Sequence, residues 1–211
     1  KDTFDFICKE YSEGNSFFLY TSSSVDSLSS CCRLQNAVQD NTFSFTNGMV
    51  GVMTGSKQVI TLNINRIIQD WYNNTCKEDI SFNINSWISE NYNSLKEYII
   101  NILERVYKYH TAYNKSLHWA KDNNLFSAYN AGFIDLDKQY LTIGISGLNQ
   151  AAEFVGIKCN NNEDYKEFCT FIFETIKEQN SLHKTKHETY NTEQVPAESA
   201  SIKLYNRDKK D

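Results

Sequence analysis

The sequence predicts an α/β domain with parallel strands, because a strand followed by a helix occurs twice along the chain. Residues 59–65, VITLNIN, alternate apolar and polar side chains as a strand does, and residues 66–72, RIIQDWY, have the pattern of a short helix. A second strand at residues 140–145 is followed by a glycine-containing turn and by a helix that ends near Gly156. Strands separated by helices usually pair in parallel, so one α/β domain is expected over residues 1–211.

Two longer amphipathic helices are predicted to pack on this sheet. In residues 94–122, apolar side chains recur at spacings of three and four: Leu95, Tyr98, Ile99, Ile102, Val106, Tyr109, Tyr113 and Leu117. A second stripe follows the polar segment NNNED at residues 160–164, which offers a helix cap: Tyr165, Phe168, Cys169, Ile172, Phe173 and Ile176.

Composition and charge exclude several classes of function. The formal net charge of -5 and the pI near 5.4 argue against a protein that binds nucleic-acid polymers, which usually presents a basic surface. Residue 1 is not followed by a charged and then apolar leader, and the apolar runs are shorter than the roughly 18 residues that a membrane span needs. The 6 cysteines lack the dense spacing of a secreted disulfide scaffold. We therefore expect a cytoplasmic protein with reduced thiols and no membrane partner.

The spacing of cysteines and histidines predicts no metal ion within this chain. Zinc sites usually combine two closely spaced pairs of ligands, and the sequence offers no such set. His110 and His118 lie on the long helix; His183 and His187 have the spacing of one helix face but lack the glutamate of a zinc-protease motif. Four isolated cysteines are interpreted as ordinary packing residues: Cys8, Cys76, Cys159 and Cys169.

Cys31 and Cys32 differ from these four, because they are adjacent in a serine-rich stretch, TSSSVDSLSSCCRL, that has neither helical nor strand periodicity. Neighbouring cysteines rarely form a disulfide with each other without strain. One of them could instead carry a reactive sulfur while the other, or a third cysteine, acts as its redox partner. From composition alone, packing and thiol chemistry both remain open for this pair.

Four segments resemble the anaerobic, class III, ribonucleotide reductases, and they occur in the order of that family. SSCCRL is similar to the family's CCR segment at the tip of its finger loop, and VITLNINR to its VTINLPR strand, with Asn65 in place of the proline. YLTIGISGLNQAAEFVG resembles IGINGLNEAAEFLG, and YNTEQVPAESASIKL resembles FNxEQxPAE. Together these segments extend over most of residues 29–204.

The resemblance implies a glycyl-radical enzyme built on a ten-stranded α/β barrel, with a central finger loop near residues 27–58. In that family a radical S-adenosylmethionine activase generates the glycyl radical, which oxidises a finger-loop cysteine to a thiyl. The thiyl then takes the 3′ hydrogen of a ribonucleoside triphosphate. Cys32, directly before Arg33, aligns with the radical cysteine, and a small loop residue can approach a sugar carbon closely.

The doubled cysteine also suggests the source of electrons. Cys31 beside Cys32 resembles the branch of the family that is reduced by a thioredoxin-like protein rather than by formate. The formate branch has an asparagine before the later strand, whereas this chain has Ser56 and Lys57 there. The resemblance further implies a homodimer for the complete enzyme.

The segment around Pro196 supplies the remaining candidate site residues. Glu193 and Glu198 lie on either side of this proline. A carboxylate there could accept a hydrogen bond or a proton from the 3′ hydroxyl of the ribose, a role we assign to Glu193. Glu198 and the small residues after it could bind the substrate and its phosphates: Ser199, Ala200 and Ser201. A capped loop with solvated acids is the alternative. We expect a different set to shape the strand-to-helix turn instead: Gly144, Gly147, Asn149 and Glu153.

The chain also departs from the family pattern. None of its 8 glycines has an arginine three residues before it and an aromatic residue after it, as the radical glycine would. The family's four-cysteine zinc site, a second catalytic cysteine and its nucleotide-sensing domain are likewise missing. We therefore expect an incomplete part of the catalytic subunit that is inactive and prone to aggregation alone, with the radical, and any zinc, supplied by a missing segment. The alternative is a non-catalytic remnant or interaction module that retains part of the barrel.

Overall fold

A computed structural model describes residues 2–15, 27–29, 35–37, 55–75, 84–195 and 198–209. The chain divides into two compact units, Lys1–Val52 and Met53–Asp211. The first unit contains helix α1 (Asp2–Ser12) and an antiparallel pair of short strands, β1 (Ser27–Ser29) and β2 (Gln35–Ala37). Cys31 and Cys32 lie outside the described residues, as does most of the predicted finger loop.

The second unit is built on a parallel sheet with the order β3-β4-β5. Its strands are β3 (Ser56–Asn63), β4 (Tyr140–Ser146) and β5 (Thr189–Gln194). The helices are α2 (Ile64–Thr75), α3 (Ile84–Asp122), α4 (Ser127–Asn130), α5 (Leu148–Phe154), α6 (Glu163–His183) and α7 (Glu198–Asp208), and a 3-10 helix spans Leu136–Lys138. The predicted α/β class with parallel strands is confirmed for this unit; the ten-stranded barrel stays a prediction.

The central strand β4 is buried along most of its length. Its residues 141–145 have almost no contact with solvent, because β4 is paired on both edges and covered by helices. Helix α2 packs on α5, and α3 packs on α6, which in turn contacts β5. Their apolar side chains form one continuous core with the sheet. None of the described helices is long and apolar enough to cross a bilayer.

The buried face of α3 differs from the predicted stripe. Tyr109 and Tyr113 are 69% and 43% exposed, so their assignment to the packed face was wrong. The face instead continues from Tyr107 to His110 and Asn114, both buried. These positions keep the helical spacing of three and four. Because the His110 and Asn114 side chains are polar, the apolar pattern of the sequence placed the buried face on the neighbouring tyrosines instead.

Several element boundaries also differ from those predicted. Strand β3 ends at Asn63 rather than at residue 65, because the Asn63 side chain caps α2: its Oδ1 accepts a hydrogen bond from the backbone N–H of Arg66 at 3.3 Å. Helix α3 begins at Ile84, ahead of the predicted residue 94. The cap expected before α6 is confirmed, since Oδ1 of Asn162 accepts from the N–H of Tyr165 at 2.7 Å.

The isolated cysteines and the histidine pair follow the predictions in part. Cys159 and Cys169 are half-buried against the core, as expected of packing residues, whereas Cys8 on α1 is exposed and does not pack. Cys76 lies outside the described residues. The predicted shared helix face of His183 and His187 is wrong, because α6 ends at His183 and His187 lies in the following loop.

Candidate functional site

A cleft of about 410 Å³ opens at the carboxyl ends of the three parallel strands. We call it the carboxyl-end cleft, and residues from the turns after β3 and β4, from the end of β5 and from α7 line it: Asn63, Asn65, Ile145, Ser146, Gly147, Leu148, Asn149, Gln150, Gln194, Val195, Ser201, Leu204, Tyr205 and Asp208. Ligands of open α/β sheets bind at this end of the strands, because the loops that follow the strands converge there. It is therefore the candidate substrate site of this unit.

A left-handed glycine allows two of these turns to come close together. Gly147 has φ +77° and directly precedes α5. A Cβ atom at this position would lie 3.2 Å from Oδ1 of Asn63 and 3.2 Å from Cβ of Asn65. The positive φ strongly favours glycine, and the two asparagines leave little space for a side chain, which confirms the predicted turn at Gly147.

Gly144 has a different role from the predicted turn, because it lies inside β4. A Cβ atom on Gly144 would lie 2.7 Å from Oγ1 of Thr61 in β3 and 2.9 Å from Cγ1 of Val195. Val195, the first residue after β5, also donates its backbone N–H to the carbonyl oxygen of Ile145 at 3.3 Å. The missing side chain thus makes room for the chain that leaves β5 toward the candidate substrate-binding residues. A glycine within an otherwise apolar strand is a signal for such a close approach.

Helix α7 is attached to the end of β3 by one hydrogen bond between side chains. Nδ2 of Asn63 donates to Oδ2 of Asp208 at 2.9 Å. Because Asn63 also caps α2, it joins the beginning of one helix to the end of another at the mouth of the cleft. Ser201, Leu204 and Tyr205 extend the lining along α7.

Of the predicted site residues, Ser201 lines this cleft, and the others that the structure describes lie in β5 and α7, the elements that border it. Glu193 lies half-buried in β5, paired in register with Gly144, and the next residue, Gln194, lines the cleft together with Ser201. Glu198 begins α7, and Ser199, Ala200 and Ser201 complete its first turn, with both serines exposed. Residues 198–201 thus begin a helix, whereas the alternative reading of this segment was a capped loop. Cys31 and Cys32 lie outside the described residues, so their approach to Glu193 stays a prediction.

The two packed cysteines near α5 and α6 lack the features of reactive thiols. Burial raises the pKa of the Cys159 thiol and also that of Cys169. Cys159 additionally donates from Sγ to the carbonyl oxygen of Asn149 at 3.2 Å. Since the thiolate is the reactive form, both sulfurs remain protonated and unreactive at neutral pH. Among the described residues, the carboxyl-end cleft holds no cluster of His, Cys, Asp or Glu that could bind a metal ion.

Comparisons with known proteins agree with the sequence motifs. The sequence profile of the family described as anaerobic ribonucleoside-triphosphate reductase matches residues 1–211. No curated protein matches the chain. Similar solved structures include the anaerobic ribonucleotide reductase from Thermotoga maritima with glycerol in the active site, at 23% identity and a TM-score of 0.60 over 74% of this chain and 24% of that one.

Two further solved structures have the same fold. The Thermotoga maritima enzyme in complex with dATP and CTP matches at 23% identity and a TM-score of 0.60, over 74% of this chain and 25% of that one. A structure described as anaerobic ribonucleotide reductase matches at 23% identity and a TM-score of 0.61, over 74% and 23%. The chain thus spans about a quarter of the length of these structures. On the match of the family profile along its whole length, the chain belongs to the anaerobic ribonucleoside-triphosphate reductase family.

Proposed function

We propose that this chain forms part of the catalytic barrel of an anaerobic ribonucleoside-triphosphate reductase and carries its radical cysteine, Cys32. The observation that supports this most is the match of the family profile along the whole chain. It is combined with a cleft at the carboxyl ends of the parallel strands, which Gln194 and Val195, just before Pro196, help to line. The fold likeness alone would not distinguish a reductase from another protein with an α/β sheet.

In the proposed reaction each residue of the chain has one task. Cys32, as a thiyl, takes the 3′ hydrogen atom of the ribose and returns to a thiol. Glu193 accepts the proton of the 3′ hydroxyl, and the 2′ hydroxyl leaves as water with a proton donated by the Cys31 thiol. The dithiol of a thioredoxin-like reductant then supplies two electrons and two protons as it forms a disulfide, which reduces C2′ and restores the Cys31 thiol. Glu193 returns its proton to the 3′ oxygen, and Cys32 returns its hydrogen atom to C3′, so that the thiyl is regenerated. The glycyl radical would supply the unpaired electron, and no residue of this chain resembles its glycine.

The substrate phosphates are assigned to the first turn of α7. Helix α7 is 11 residues long, and the first N–H groups of a helix have no partner within the helix. Together with the helix dipole they attract anions. Ser199 and Ser201 add exposed hydroxyl groups at the same end, and Ser201 lines the carboxyl-end cleft. Ser199, Ala200 and Ser201 are therefore proposed to bind the phosphates of the ribonucleoside triphosphate, and the Glu198 carboxylate to bind a ribose hydroxyl.

The complete enzyme is proposed to need partners that these residues do not supply. They are the segment with the radical glycine, a radical S-adenosylmethionine activase that generates the radical, and the electron donor. The zinc site of the family is assigned to the same missing segment. The alternative, a non-catalytic remnant, retains the cleft but does not need the Cys32 sulfur.

The test is Cys32→Ser in the protein that carries this chain, assembled with its glycyl-radical segment and activated under anoxic conditions. Serine is nearly the same size, but its O–H bond is too strong to exchange hydrogen with a glycyl radical, so we expect nucleotide binding without deoxynucleotide formation. Cys159→Ser is the matched control, since that thiol is half-buried and protonated, and it should retain turnover. Turnover by Cys32→Ser at the unmodified rate contradicts the radical assignment. An activated wild-type protein that binds nucleotide without reducing it supports the remnant instead.

A further inference from the structure

Three potential metal ligands meet at the amino ends of the strands, opposite the carboxyl-end cleft. They are His118 on α3, Asp137 in the 3-10 helix before β4, and His187 in the loop before β5; we call them the amino-end cluster. One ligand atom from each lies within 4.8 Å of the other two. At about 3.3 Å per residue, the 8 residues of β3 separate this cluster from the carboxyl-end cleft by roughly 25 Å.

The distances within the amino-end cluster match the ligand shell of a small divalent cation. Nε2 of His118 lies 3.4 Å from Oδ1 of Asp137, and Nδ1 of His187 lies 3.0 Å from the same oxygen. With zinc-to-ligand bonds of about 2.0–2.2 Å, tetrahedral geometry places neighbouring ligand atoms about 3.3 Å apart. Two imidazoles and one carboxylate leave a fourth position for water.

A buried nitrogen without a hydrogen-bond partner points to a missing ligand. Nε2 of His118 is buried and, within the described part of the chain, makes no hydrogen bond, since its 3.4 Å contact with Asp137 is poorly directed. Oδ1 of Asn114 is buried and unsatisfied in the same way, and it belongs to the cleft that His118 and His187 also line. A cation at His118 with a bound water that donates to Asn114 would satisfy both atoms, whose burial is otherwise unfavourable.

The segment that carries His187 is held in position by side chains that donate hydrogen bonds to its backbone. Nζ of Lys57 donates to the carbonyl oxygens of Leu136 and His187, at 3.0 and 3.1 Å, and Nδ2 of Asn114 donates to the same carbonyl of His187 at 3.1 Å. These bonds join the loop before β5 to α3, to the beginning of β3 and to the 3-10 helix. The ligands are thus presented by elements that are already fixed relative to one another.

The types of ligand in the amino-end cluster determine which ion it would bind. Mg²⁺ and Ca²⁺ prefer shells of oxygen atoms, whereas two imidazole nitrogens select zinc or a related transition metal.

We propose that His118, Asp137 and His187 bind one zinc-type divalent cation, with water as the fourth ligand. The ion joins α3 to the segments that lead into β4 and β5 and so fixes the amino ends of these strands. This site is independent of the proposed reaction, because it uses none of the residues assigned to it. The sequence does not show this site as a pair of neighbouring ligands, since its members are 19 and 50 residues apart and come from three different elements.

The test compares zinc content and cobalt spectra of the purified protein that carries this chain with those of three variants. His187→Ala and Asp137→Asn should each bind one zinc ion fewer per chain, and they should lose the visible d–d absorption that Co²⁺ gives in a tetrahedral site. His187 is 53% exposed, so its replacement leaves the core intact. The zinc content of each variant is subtracted from that of the wild type, so zinc bound elsewhere in the protein does not affect the result.

His183→Gln is the matched control, because His183 lies four residues earlier and contacts Glu104 rather than the amino-end cluster. It should retain the full zinc content. Addition of Zn²⁺ should also raise the melting temperature of the wild type and of this control, while leaving that of His187→Ala unchanged. Equal zinc content and equal melting shifts in the wild type and in His187→Ala would overturn the proposal and leave the cluster as a hydrogen-bonded network.

Discussion

Gly144 in β4 pairs directly with Thr61 in β3, and a Cβ atom on Gly144 would lie only 2.7 Å from Oγ1 of Thr61. It would also lie 3.3 Å from the Cα atom of Thr61, so a rotation of the threonine side chain cannot relieve the contact fully. Such overpacking is resolved by moving backbone in the best-buried strand of the sheet.

Gly144→Ala should therefore lower the free energy of unfolding by about 1–3 kcal/mol, as overpacking of a core usually does. Gly55→Ala is the matched control, because a Cβ atom there meets Nε2 of Gln139 at an ordinary 3.6 Å. Urea unfolding of both variants measures the difference. Equal stability of the two variants would show that β3 and β4 can separate without cost.

The buried imidazole of His110 should make stability depend on pH. His110 has no exposed surface, and burial lowers its pKa to about 4, against about 6.5 in an unfolded chain. Between these pH values the His110 side chain binds a proton in the unfolded state but not in the folded state. Its contribution to the free energy of unfolding is therefore fully present above pH 6.5 and is lost as the pH falls toward 4. The slope of this contribution reaches roughly 1.4 kcal/mol per pH unit.

Unfolding midpoints at pH 7.5 and pH 5 measure this effect for the wild type and for His110→Gln. The glutamine cannot titrate, so the variant should lose less stability on acidification, although it is less stable at pH 7.5 because it gives up the 2.9 Å contact of His110 Nδ1 with Oε1 of Gln58. An identical loss in both proteins would assign the acid sensitivity to other groups.

The doubled cysteine leads to a prediction about the electron donor. If Cys31 marks dependence on a redoxin, the assembled enzyme should reduce nucleotides with a thioredoxin-like protein and its reductase when formate is absent, and Cys31→Ser should lose this activity. Deoxynucleotide yield under each reductant is the measurement. Activity that needs formate and survives Cys31→Ser reverses the assignment.

Patterns local in sequence predicted several elements of the second unit. The alternation in VITLNIN and the stripe after NNNED depend on neighbouring residues, and both elements are present in the structure. Strand β5, which carries Glu193, was not predicted, because Thr189–Gln194 contains a single apolar side chain, Tyr190, and so lacks the alternation of a strand.

Features that depend on tertiary contacts could not be derived in this way. The burial of His110 and Asn114 depends on what α3 packs against. Since both side chains are polar, a pattern of apolar residues does not predict that they are buried. A glycine in sequence is typical of a turn, which is why Gly144 was expected in one. Its actual role depends on the close approach of Thr61 from another strand, which the local sequence does not show. The amino-end cluster joins residues whose proximity only the fold creates.

The last prediction concerns Asn63, whose side chain joins two helices at the carboxyl-end cleft. Its Oδ1 caps α2 through the N–H of Arg66, and its Nδ2 donates to Oδ2 of Asp208 at the end of α7. Asn63→Asp separates these roles, since a carboxylate still accepts the cap hydrogen bond but repels Asp208. The fold should keep most of its stability while α7 loses its attachment.

Since the first turn of α7 is proposed to bind the substrate phosphates, Asn63→Asp should weaken nucleotide binding about tenfold, which corresponds to roughly 1.4 kcal/mol, the low end for a hydrogen bond to a charged group. The double variant Asn63→Asp with Asp208→Asn reverses donor and acceptor and should restore the affinity. Asn63→Ala loses the cap as well, so it should in addition lose about 1 kcal/mol of stability. Calorimetric titration with a ribonucleoside triphosphate measures binding in all three variants. If Asn63→Asp binds nucleotide as tightly as the wild type, α7 does not carry the phosphate site, and the assignment of Ser199 and Ser201 fails with it.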